Sequence, residues 1–320
     1  MIRVGIIGGA GYTAGELIRL LVNHPSVEIS FVHSTSNAGA ALYEVHEGLF
    51  GETEMRFSDS FDLSAVDVLF LCSAHGKSRE FWQENRMPGA LKVIDLAQDF
   101  RDESEGYVYG LPELQKGRIE GASRIANPGC FATAIQLALL PLASAGLLPE
   151  CVDVTAVTGS TGAGVKPGAT THFSWRNNNL SVYKAFTHQH LLEICRNLKG
   201  LQPSFGGGIN FIPVRGDFAR GIFATAQMEC QLPLEEVTAL YEDYYRDAAF
   251  TFVSPFAVDL KQVVNTNKCL VSLEKHGSRL LVCSVIDNLL KGASGQALQN
   301  MNLICGLDEK AGLHLKASAF

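Results

Sequence analysis

The stretch Val4-Gly5-Ile6-Ile7-Gly8-Gly9-Ala10-Gly11-Tyr12-Thr13-Ala14-Gly15 decides the fold of the first half of the chain. Its apolar start is typical of a buried parallel strand, and the amphipathic pattern over residues 16–23 predicts a helix that ends before Pro25. The glycines between them follow the pattern Gly-x-x-Gly-x-x-Ala, a variant of the fingerprint of dinucleotide-binding domains. The stretch therefore predicts a strand, a phosphate-binding turn and a helix.

Each small residue of this turn has its own physical role. Gly8 permits the tight turn, Gly11 lets backbone amides approach a pyrophosphate, and Ala14 lets the helix pack closely on the strand. The residues expected to contact a cofactor here are Gly8, Gly11, Tyr12, Thr13 and Ala14.

Further apolar segments at residues 27–32, 66–71 and 92–96 predict strands that alternate with helices. This alternation predicts an α/β fold, a Rossmann-type doubly wound parallel sheet with the cofactor at the carboxyl ends of the strands. The loop His33-Ser34-Thr35-Ser36-Asn37 lacks the acidic residue that NAD sites present to the ribose 2′-hydroxyl group. Its hydroxyl groups favour NADP as the cofactor, with the 2′-phosphate near Ser34 and Ser36.

The second half of the chain has a different pattern. Strand-like segments at 152–158, 208–212, 222–232 and 280–286 predict a mixed or antiparallel sheet in an α+β domain. Residues 287–302 indicate a loop that enters an apolar-faced helix. We therefore predict a dinucleotide-binding domain over 1–129, completed by the helical region 293–320, and a catalytic and substrate-binding domain over 130–292.

The run Asn127-Pro128-Gly129-Cys130 precedes an apolar segment, 134–142, that predicts a buried helix, with Asn127 as a possible helix cap. A thiol at a helix start lies near unpaired N–H groups and the positive end of the helix dipole, which favour the reactive thiolate. Cys130 is therefore the candidate nucleophile. The other seven cysteines, none of them in a Cys-x-x-Cys pair, are expected to fill the core of a protein from a reducing compartment.

Two histidines, His188 and His190, follow in the segment His-Gln-His. Imidazole titrates near neutrality, so one of them can take the thiol proton and later return it. We expect a Cys130–His190 pair, with His188 as the next candidate base. No third ligand stands at a recognisable spacing, so no metal site is predicted.

Two further segments carry groups suited to anionic substrates. The glycine-rich turn over 158–166 contains Ser160, Gly162 and Lys166, and such backbone can form an anion-binding concavity. Arg215 and Arg220 can grip a carboxylate or phosphate through bidentate contacts.

The composition limits the classes of partner. The net charge of −7 comes with interspersed acids and bases, so neither a nucleic-acid-binding stripe nor a polybasic membrane face is present. No secretory signal or membrane-spanning segment is evident, and a cytoplasmic enzyme with a small-molecule substrate is expected.

The motifs, taken in order, resemble those of the N-acetyl-gamma-glutamyl-phosphate reductase family within the wider aspartate-semialdehyde dehydrogenase-like group. They are GGAGYTAGEL (8–17), DLAQDFR (95–101), YGLPE (109–113), NPGCFAT (127–133), GSTGAG (159–164), HQH (188–190), RGI (220–222) and DNLLKG (287–292). The resemblance implies NADPH-dependent reduction of an N-acyl-glutamyl 5-phosphate to the semialdehyde in arginine biosynthesis, and a homotetramer or homodimer. It places Cys130 as nucleophile and His190 as its base, with His188 its neighbour, and it makes residues 130–292 the oligomerisation domain as well. Together with the residue chemistry above, we expect His188, Arg215, Arg220, Ser160 and Lys166 at the substrate, and Gly162 and Asn288 at the cofactor.

The chain departs from the family pattern at three places. Ala14-Gly15 stands where members usually show Gly then Ala, and Thr35 and Val165 stand where members carry arginine. With Arg215 as a substitute anion ligand, these departures suggest a variant subgroup whose acyl group is acetyl or another, such as succinyl.

Three other hypotheses stay open from the sequence. Aspartate-semialdehyde dehydrogenase shares the chemistry, although His-Gln-His and Asn-Pro-Gly-Cys argue against it. A non-catalytic NADP-binding regulator would not need the thiol, and a thiol hydrolase would form product without oxidising NADPH.

Overall fold

The structure is a computed structural model that describes residues 1–206 and 208–318. It divides into two compact units, Met1–Pro128 with Ala293–His314, and Gly129–Gly292 with residues 315–318. Residues 315–318 therefore differ from the predicted assignment to the first domain, because the Ser318 N–H donates to the carbonyl oxygen of Val264 at 3.3 Å. The last two residues of the predicted range 293–320 lie outside the described residues.

The first unit contains a parallel sheet in the order β2-β1-β3-β4-β6-β5. The strands are β1 (Ile2–Ile7), β2 (Val27–His33), β3 (Val68–Leu71), β4 (Lys92–Asp95), β5 (Val108–Tyr109) and β6 (Arg124–Ala126). β3 is buried along its whole length, as expected of a parallel strand covered on both faces. The predicted Rossmann-type sheet is confirmed.

Helices accompany this sheet. They are α1 (Tyr12–Leu21), α2 (Leu42–Val45), α3 (Lys77–Glu84), α4 (Pro112–Glu120) and, from the end of the chain, α9 (Gly295–Ile304). α1 begins at Tyr12 rather than at Glu16, since Gly11 is its N-cap. Every residue of α9 is buried, and the Asn300 side chain donates to the carbonyl oxygen of Gly110 at 2.9 Å. The returning helix is therefore part of the core of the first unit.

The second unit contains a mixed sheet in the order β11-β12-β13-β10-β7-β9-β8. Its strands are β7 (Cys151–Thr158), β8 (Ser181–Val182), β9 (Gly208–Arg215), β10 (Ile222–Glu229), β11 (Thr251–Val253), β12 (Cys269–His276) and β13 (Arg279–Ile286). The pairs β7–β9 and β11–β12 are parallel and the others antiparallel. The predicted mixed sheet is confirmed, and β8, β11 and β12 are strands that the sequence analysis missed.

The helices of this unit are α5 (Cys130–Ser144), α6 (Phe173–Arg176), α7 (His190–Leu201) and α8 (Leu234–Tyr244). α5 is buried from Phe131 to Ala143 although Pro141 lies inside it. A proline has no N–H for the carbonyl group one turn earlier, that of Leu137. The hydroxyl group of Tyr245 donates to this oxygen at 2.6 Å, so the interruption leaves no unsatisfied acceptor there.

The cysteines are less uniform than expected. Cys269 is buried, but Cys151 is exposed because the first residue of β7 faces outward in an alternating strand. The prediction that it fills the core is wrong.

Across the part of the chain that the structure describes, no helix is both long and apolar enough to span a lipid bilayer.

Candidate active site

Cys130 is the first residue of α5, and Gly129 is the N-cap. Asn127 does not cap the helix, contrary to the prediction, because its side chain is committed elsewhere in the first unit. Its Nδ2 donates to the carbonyl oxygen of Ala293 at 3.0 Å, and its Oδ1 accepts from Asn300 at 3.1 Å. The thiol thus stands at a helix N-terminus that has no side-chain cap and no acidic residue in its first turn. This is a setting that favours the thiolate.

His190 lies against the backbone that leads into Cys130. A methyl group on Gly129 would lie 2.6 Å from ring atoms Cδ2 and Cε1 of His190, and closer still to Nε2. His190 is 6% exposed and is the first residue of α7, which packs on α5. Two helix starts therefore bring the predicted thiol and the predicted base together in the second unit.

A second glycine, Gly292, packs closely against Cys130. A methyl group on Gly292 would lie 2.9 Å from the Cβ of Cys130 and 3.3 Å from its Cα. The Gly292 N–H donates to the carbonyl oxygen of Asp287 at 2.9 Å, which fixes this close approach. The motif DNLLKG is recognisable in the sequence, but the role of its glycine is visible only in the structure.

His188 is buried and neutral. Its Nδ1 accepts the backbone N–H of His190 at 3.2 Å, and its ring lies 4.6 Å from that of His190 and 5.3 Å from that of Phe131. Burial, and next the charge of Lys184, lower the pKa of His188 to about 4. A ring that is neutral and holds the backbone of His190 is suited to orienting the second histidine.

Glu193 was missed by the sequence analysis. It is 5% exposed, lies in the first turn of α7, and its Oε2 accepts the N–H of Gly129 at 3.1 Å. The spacing of three from His190 puts both side chains on one face of the helix, which was the available signal. Glu193 thereby holds the residue that precedes the thiol.

The glycine-rich turn differs from the predicted anion-binding concavity. The N–H groups of Gly159, Ser160 and Thr161 donate to the carbonyl oxygens of Gly221, Phe218 and Ala219, respectively. A methyl group on Gly159 would lie 2.5 Å from the carbonyl carbon of Ala219, so only glycine allows the two segments to meet. These three amides are therefore not available to an anion.

The predicted ligands of this turn differ in exposure. Ser160 is half-buried, whereas Gly162 and Lys166 are exposed. The amide of Asn288 donates to the Thr161 hydroxyl group at 3.0 Å and accepts the Gly221 N–H at 2.7 Å. With 2% exposure, Asn288 ties the turn to its neighbouring segment.

The two predicted arginine ligands have different surroundings. Arg220 makes a bidentate pair with Asp287, with Nε–Oδ2 at 3.0 Å and Nη2–Oδ1 at 3.2 Å. Asp287 is fully buried, and Arg220 keeps 22% of its side chain exposed. Arg215 ends β9, and its Cζ lies 4.7 Å from the centroid of the Tyr183 ring. Tyr183 in turn lies 5.9 Å from the ring of His188, so Arg215 is the arginine adjacent to the histidine cluster.

The glycine turn of the first unit has the geometry of an anion cradle. Gly8 has φ of +81°, and a methyl group on it would lie 2.8 Å from the carbonyl oxygen of Cys72. Gly11 has no heavy atom within 4 Å of such a methyl group, so the start of α1 is open. Tyr12 and Thr13 begin α1 with no acidic residue in the first turn, and Ala14 is fully buried. These residues fit a pyrophosphate group.

His46 supports this turn and was not anticipated. Its Nε2 and the carbonyl oxygen of Gly9 are 2.7 Å apart. A methyl group on Gly15 would lie 2.6 Å from His46 Nδ1, so the Ala14-Gly15 order has a physical reason.

At the end of β2 the polar side chains form a small network. The Asn37 amide donates to the hydroxyl groups of Ser34 at 3.2 Å and of Ser36 at 2.9 Å. This network presents hydroxyl groups and no carboxylate that would repel the 2′-phosphate of NADP. Among residues 1–206 and 208–318, no cluster of three or more His, Cys, Asp or Glu side chains could hold a metal ion.

Comparison with known proteins gives the family. Two family models match, the semialdehyde dehydrogenase NAD binding domain over residues 3–122 and the semialdehyde dehydrogenase dimerisation domain over residues 130–288. Proteins named N-acetyl-gamma-glutamyl-phosphate reductase from Azobacteroides pseudotrichonymphae and Phocaeicola vulgatus are 62% and 60% identical, over the full length of both chains. The chain belongs to the N-acetyl-gamma-glutamyl-phosphate reductase family.

Membership of the N-acetyl-gamma-glutamyl-phosphate reductase family confirms the resemblance stated from the motifs and makes the protein an oxidoreductase. Solved structures support the fold independently. Aspartate semialdehyde dehydrogenase II of Vibrio cholerae, complexed with ASA, has a TM-score of 0.72 at 18% identity, covering 96% of this chain and 98% of that one. Aspartate semialdehyde dehydrogenase of Candida albicans with NADP has a TM-score of 0.72 at 14% identity, covering 95% and 98%.

Proposed function

We propose that the protein reduces an N-acyl-L-glutamyl 5-phosphate to the N-acyl-L-glutamate 5-semialdehyde with NADPH, releasing phosphate, as a step of arginine biosynthesis. The observation that carries the proposal is the placement of Cys130 at the start of α5 with His190 against the residue before it. The names of the relatives at 60–62% identity support the substrate class.

Cys130 is the nucleophile in this proposal. Its thiolate sulfur forms a bond to the acyl carbon, and the bond from that carbon to the phosphate oxygen breaks. The resulting thioester divides one difficult reduction into two easier steps. After reduction, the thiohemiacetal oxyanion expels the thiolate and leaves the aldehyde.

His190 handles the proton. It takes the thiol proton and gives it to the departing phosphate, so the substrate's phosphate leaves in a stable form. The neutral ring of His188, bonded to the His190 backbone, keeps the second ring in place. Because His188 stays neutral well below neutrality, it is the weaker candidate for the base.

The backbone at the start of α5 stabilises the oxyanion. The first N–H groups of a helix have no partner within the helix, and they point at a group held by its first residue. One such donor is typically worth about 2.7–4 kcal/mol in the transition state. Glu193 and Gly292 hold this backbone from two sides.

Residues of the first unit would hold the cofactor. Gly8, Gly11, Tyr12, Thr13 and Ala14 would bind the pyrophosphate at the start of α1, and Ser34 and Ser36 would receive the 2′-phosphate of NADP. When bound there, the reduced nicotinamide would supply the hydride that the thioester on Cys130 accepts.

We also propose that the second unit mediates assembly into a homodimer or homotetramer. Large apolar side chains are exposed on and near the edge strand β8 along the chain and at the start of α7, namely Phe173, Trp175, Leu180, Val182, Phe186 and Leu192. Exposed apolar surface of this kind is typical of an association surface.

The eight cysteines are free of disulfides, in keeping with a cytoplasmic enzyme.

Replacing Cys130 with serine tests the proposal. We expect C130S to lose turnover of N-acetyl-glutamyl phosphate and to retain NADPH binding, measured by fluorescence titration. The exposed Cys151 provides the matched control, and C151S should keep full activity. Unchanged activity of C130S would reject the mechanism, and a preference of the parent protein for aspartyl phosphate would reject the substrate.

A further inference from the structure

Arg176 and Arg215 form a paired arginine cluster at the edge of the mixed sheet. Arg176 ends α6 and is 5% exposed, and its Nη1 donates to the carbonyl oxygen of Arg215 at 2.8 Å. Its Nη2 donates to the Ser181 hydroxyl group at 3.1 Å, and Ser181 is the register partner of Arg215 across β8 and β9. The Arg176 guanidinium group is thus fixed against the backbone of Arg215 and the strand that pairs with it.

This cluster holds positive charge without a compensating carboxylate. Within residues 1–206 and 208–318, no ion pair joins either arginine to an acid, and the buried Nε atoms of both have no hydrogen-bond partner. Asp217, the acid close in sequence, accepts the Asn178 N–H at 2.6 Å instead. A buried charge and an unbonded donor are both costly, so a cluster of this kind is suited to an anion that arrives with a ligand.

Arg215 faces the histidine cluster through Tyr183. Its Cζ lies over the Tyr183 ring at 4.7 Å, its Nη1 donates to the Thr170 hydroxyl group at 3.1 Å, and the Tyr183 and Arg215 side chains are hydrogen-bonded. Burial and then the negative charge of Cys130 raise the pKa of Tyr183, while Arg215 opposes this rise. The Tyr183 hydroxyl group therefore interacts electrostatically with both Cys130 and Arg215.

The position of Arg215 distinguishes between the anionic groups of the substrate. The phosphate is bonded to the carbon that the sulfur attacks, and reacting atoms meet at about 3–3.5 Å. The Tyr183 ring lies between the Arg215 guanidinium group and the ring of His188, which is itself one residue removed from the proposed base, His190. This placement fits an anion farther along the substrate. The planar fork of arginine matches a carboxylate in a bidentate manner.

We propose that Arg215, held by Arg176 and Tyr183, binds a substrate carboxylate that is remote from the reacting acyl phosphate. This inference rests on the proposed function. Two carboxylates have the required chemistry, the α-carboxylate of the glutamyl group and a terminal carboxylate on a dicarboxylic acyl group such as succinyl. In either case Arg215 determines specificity and does not take part in the chemical step.

The test compares R215Q and R215K with the parent enzyme on N-acetyl- and N-succinyl-glutamyl phosphate at saturating NADPH. R215Q removes a charged, bidentate contact, so we expect its kcat/KM to fall by about tenfold to a hundredfold. The loss should come mainly from a higher KM. R215K should lose less, because it keeps the charge. R246Q, at an exposed arginine of the same unit, is the matched control and should equal the parent.

The two substrates identify the carboxylate. Equal losses on both assign the α-carboxylate, and a loss confined to the succinyl substrate assigns the acyl carboxylate. Both results support the proposal. Unchanged kcat/KM in R215Q for both substrates would overturn it, as would an inhibition constant for inorganic phosphate that rises in parallel with KM. A parent enzyme that reduces neither substrate would instead refute the proposed function, and thermal unfolding of R215Q near that of the parent shows that the variant folds.

Discussion

The ring of His190 lies directly against the Cα of Gly129, so that no side chain fits between them. This contact sets the position of the imidazole relative to the first residue of α5, Cys130. Since Gly129 has φ of −71°, its backbone would accept any residue, and the requirement for glycine comes from the histidine ring alone.

Replacing Gly129 with alanine should therefore impair catalysis more than folding. The added methyl group displaces the ring, and a displacement of about 1 Å in a catalytic group can cost a hundredfold in rate. We expect kcat for the acyl phosphate to fall about a hundredfold, measured by NADPH oxidation, with NADPH affinity retained. Gly200, in α7, has open space around it, so G200A is the control and should keep its activity. A G129A variant as active as G200A would contradict this account of the contact.

His188 should make stability depend on pH. Its pKa is about 4 in the folded protein, while in the unfolded chain it is about 6.5. The unfolded chain therefore binds more protons between these values, and the stability present above pH 6.5 is lost as pH falls toward 4. The shift sets an upper limit of about 3 kcal/mol on this loss.

The measurement is the free energy of unfolding in denaturant at several pH values. H188Q removes the titrating group, so its curve should be flatter than that of the parent between pH 6.5 and 4. H314Q, at an exposed histidine, is the matched control and should keep the slope of the parent. Parallel curves for H188Q and the parent would assign the acid sensitivity to other groups.

Gly15 and His46 should control cofactor affinity. A methyl group at Gly15 overlaps the His46 ring, and overpacking costs about 1–3 kcal/mol. The contact of His46 with Gly9 transmits this strain to the turn, and about 1–2 kcal/mol of it there raises the KM for NADPH in G15A roughly fivefold to thirtyfold. The KM for the acyl phosphate should not change. G117A, at an open position in α4, is the matched control.

Tyr245 should stabilise α5 at its proline. Y245F leaves the carbonyl group of Leu137 without its donor, and an unsatisfied buried acceptor costs about 1–3 kcal/mol. In a P141A background the restored N–H can bond to that oxygen, so the same substitution should cost less. Denaturant unfolding of the four proteins of this double-mutant cycle gives the coupling. Equal costs in both backgrounds would show that the tyrosine acts independently of the proline.

Local sequence patterns were sufficient to predict the parallel sheet of the first unit and the helix start at Cys130, the candidate nucleophile. The glycine spacing around Gly8 and Gly11 is short-range and has few structural solutions, and the apolar run after Cys130 has the length of a buried helix. The parallel sheet of the first unit and the helix start at Cys130 follow from these patterns.

Local sequence patterns could not predict contacts between segments that are distant along the chain. Asn127 has the composition of a helix cap, but Asn300, far along the chain, takes its side chain. The amides of Gly159 and Thr161 could bind an anion in isolation, but Gly221 and Ala219 occupy them. The type of a residue determines which hydrogen bonds it can make. The tertiary fold determines which of these bonds it does make.

The placement of α9 also has a consequence for synthesis of the protein. A ribosome delivers β1 to β6 early, yet the helix that fills their core comes from residues 295–304. Until that helix emerges, the nascent first unit exposes apolar surface against which nothing has yet packed, and such intermediates aggregate. A chain that terminates after residue 292 would thus be prone to aggregation and would depend on chaperones. It would be so even though every strand of its parallel sheet has already been synthesised.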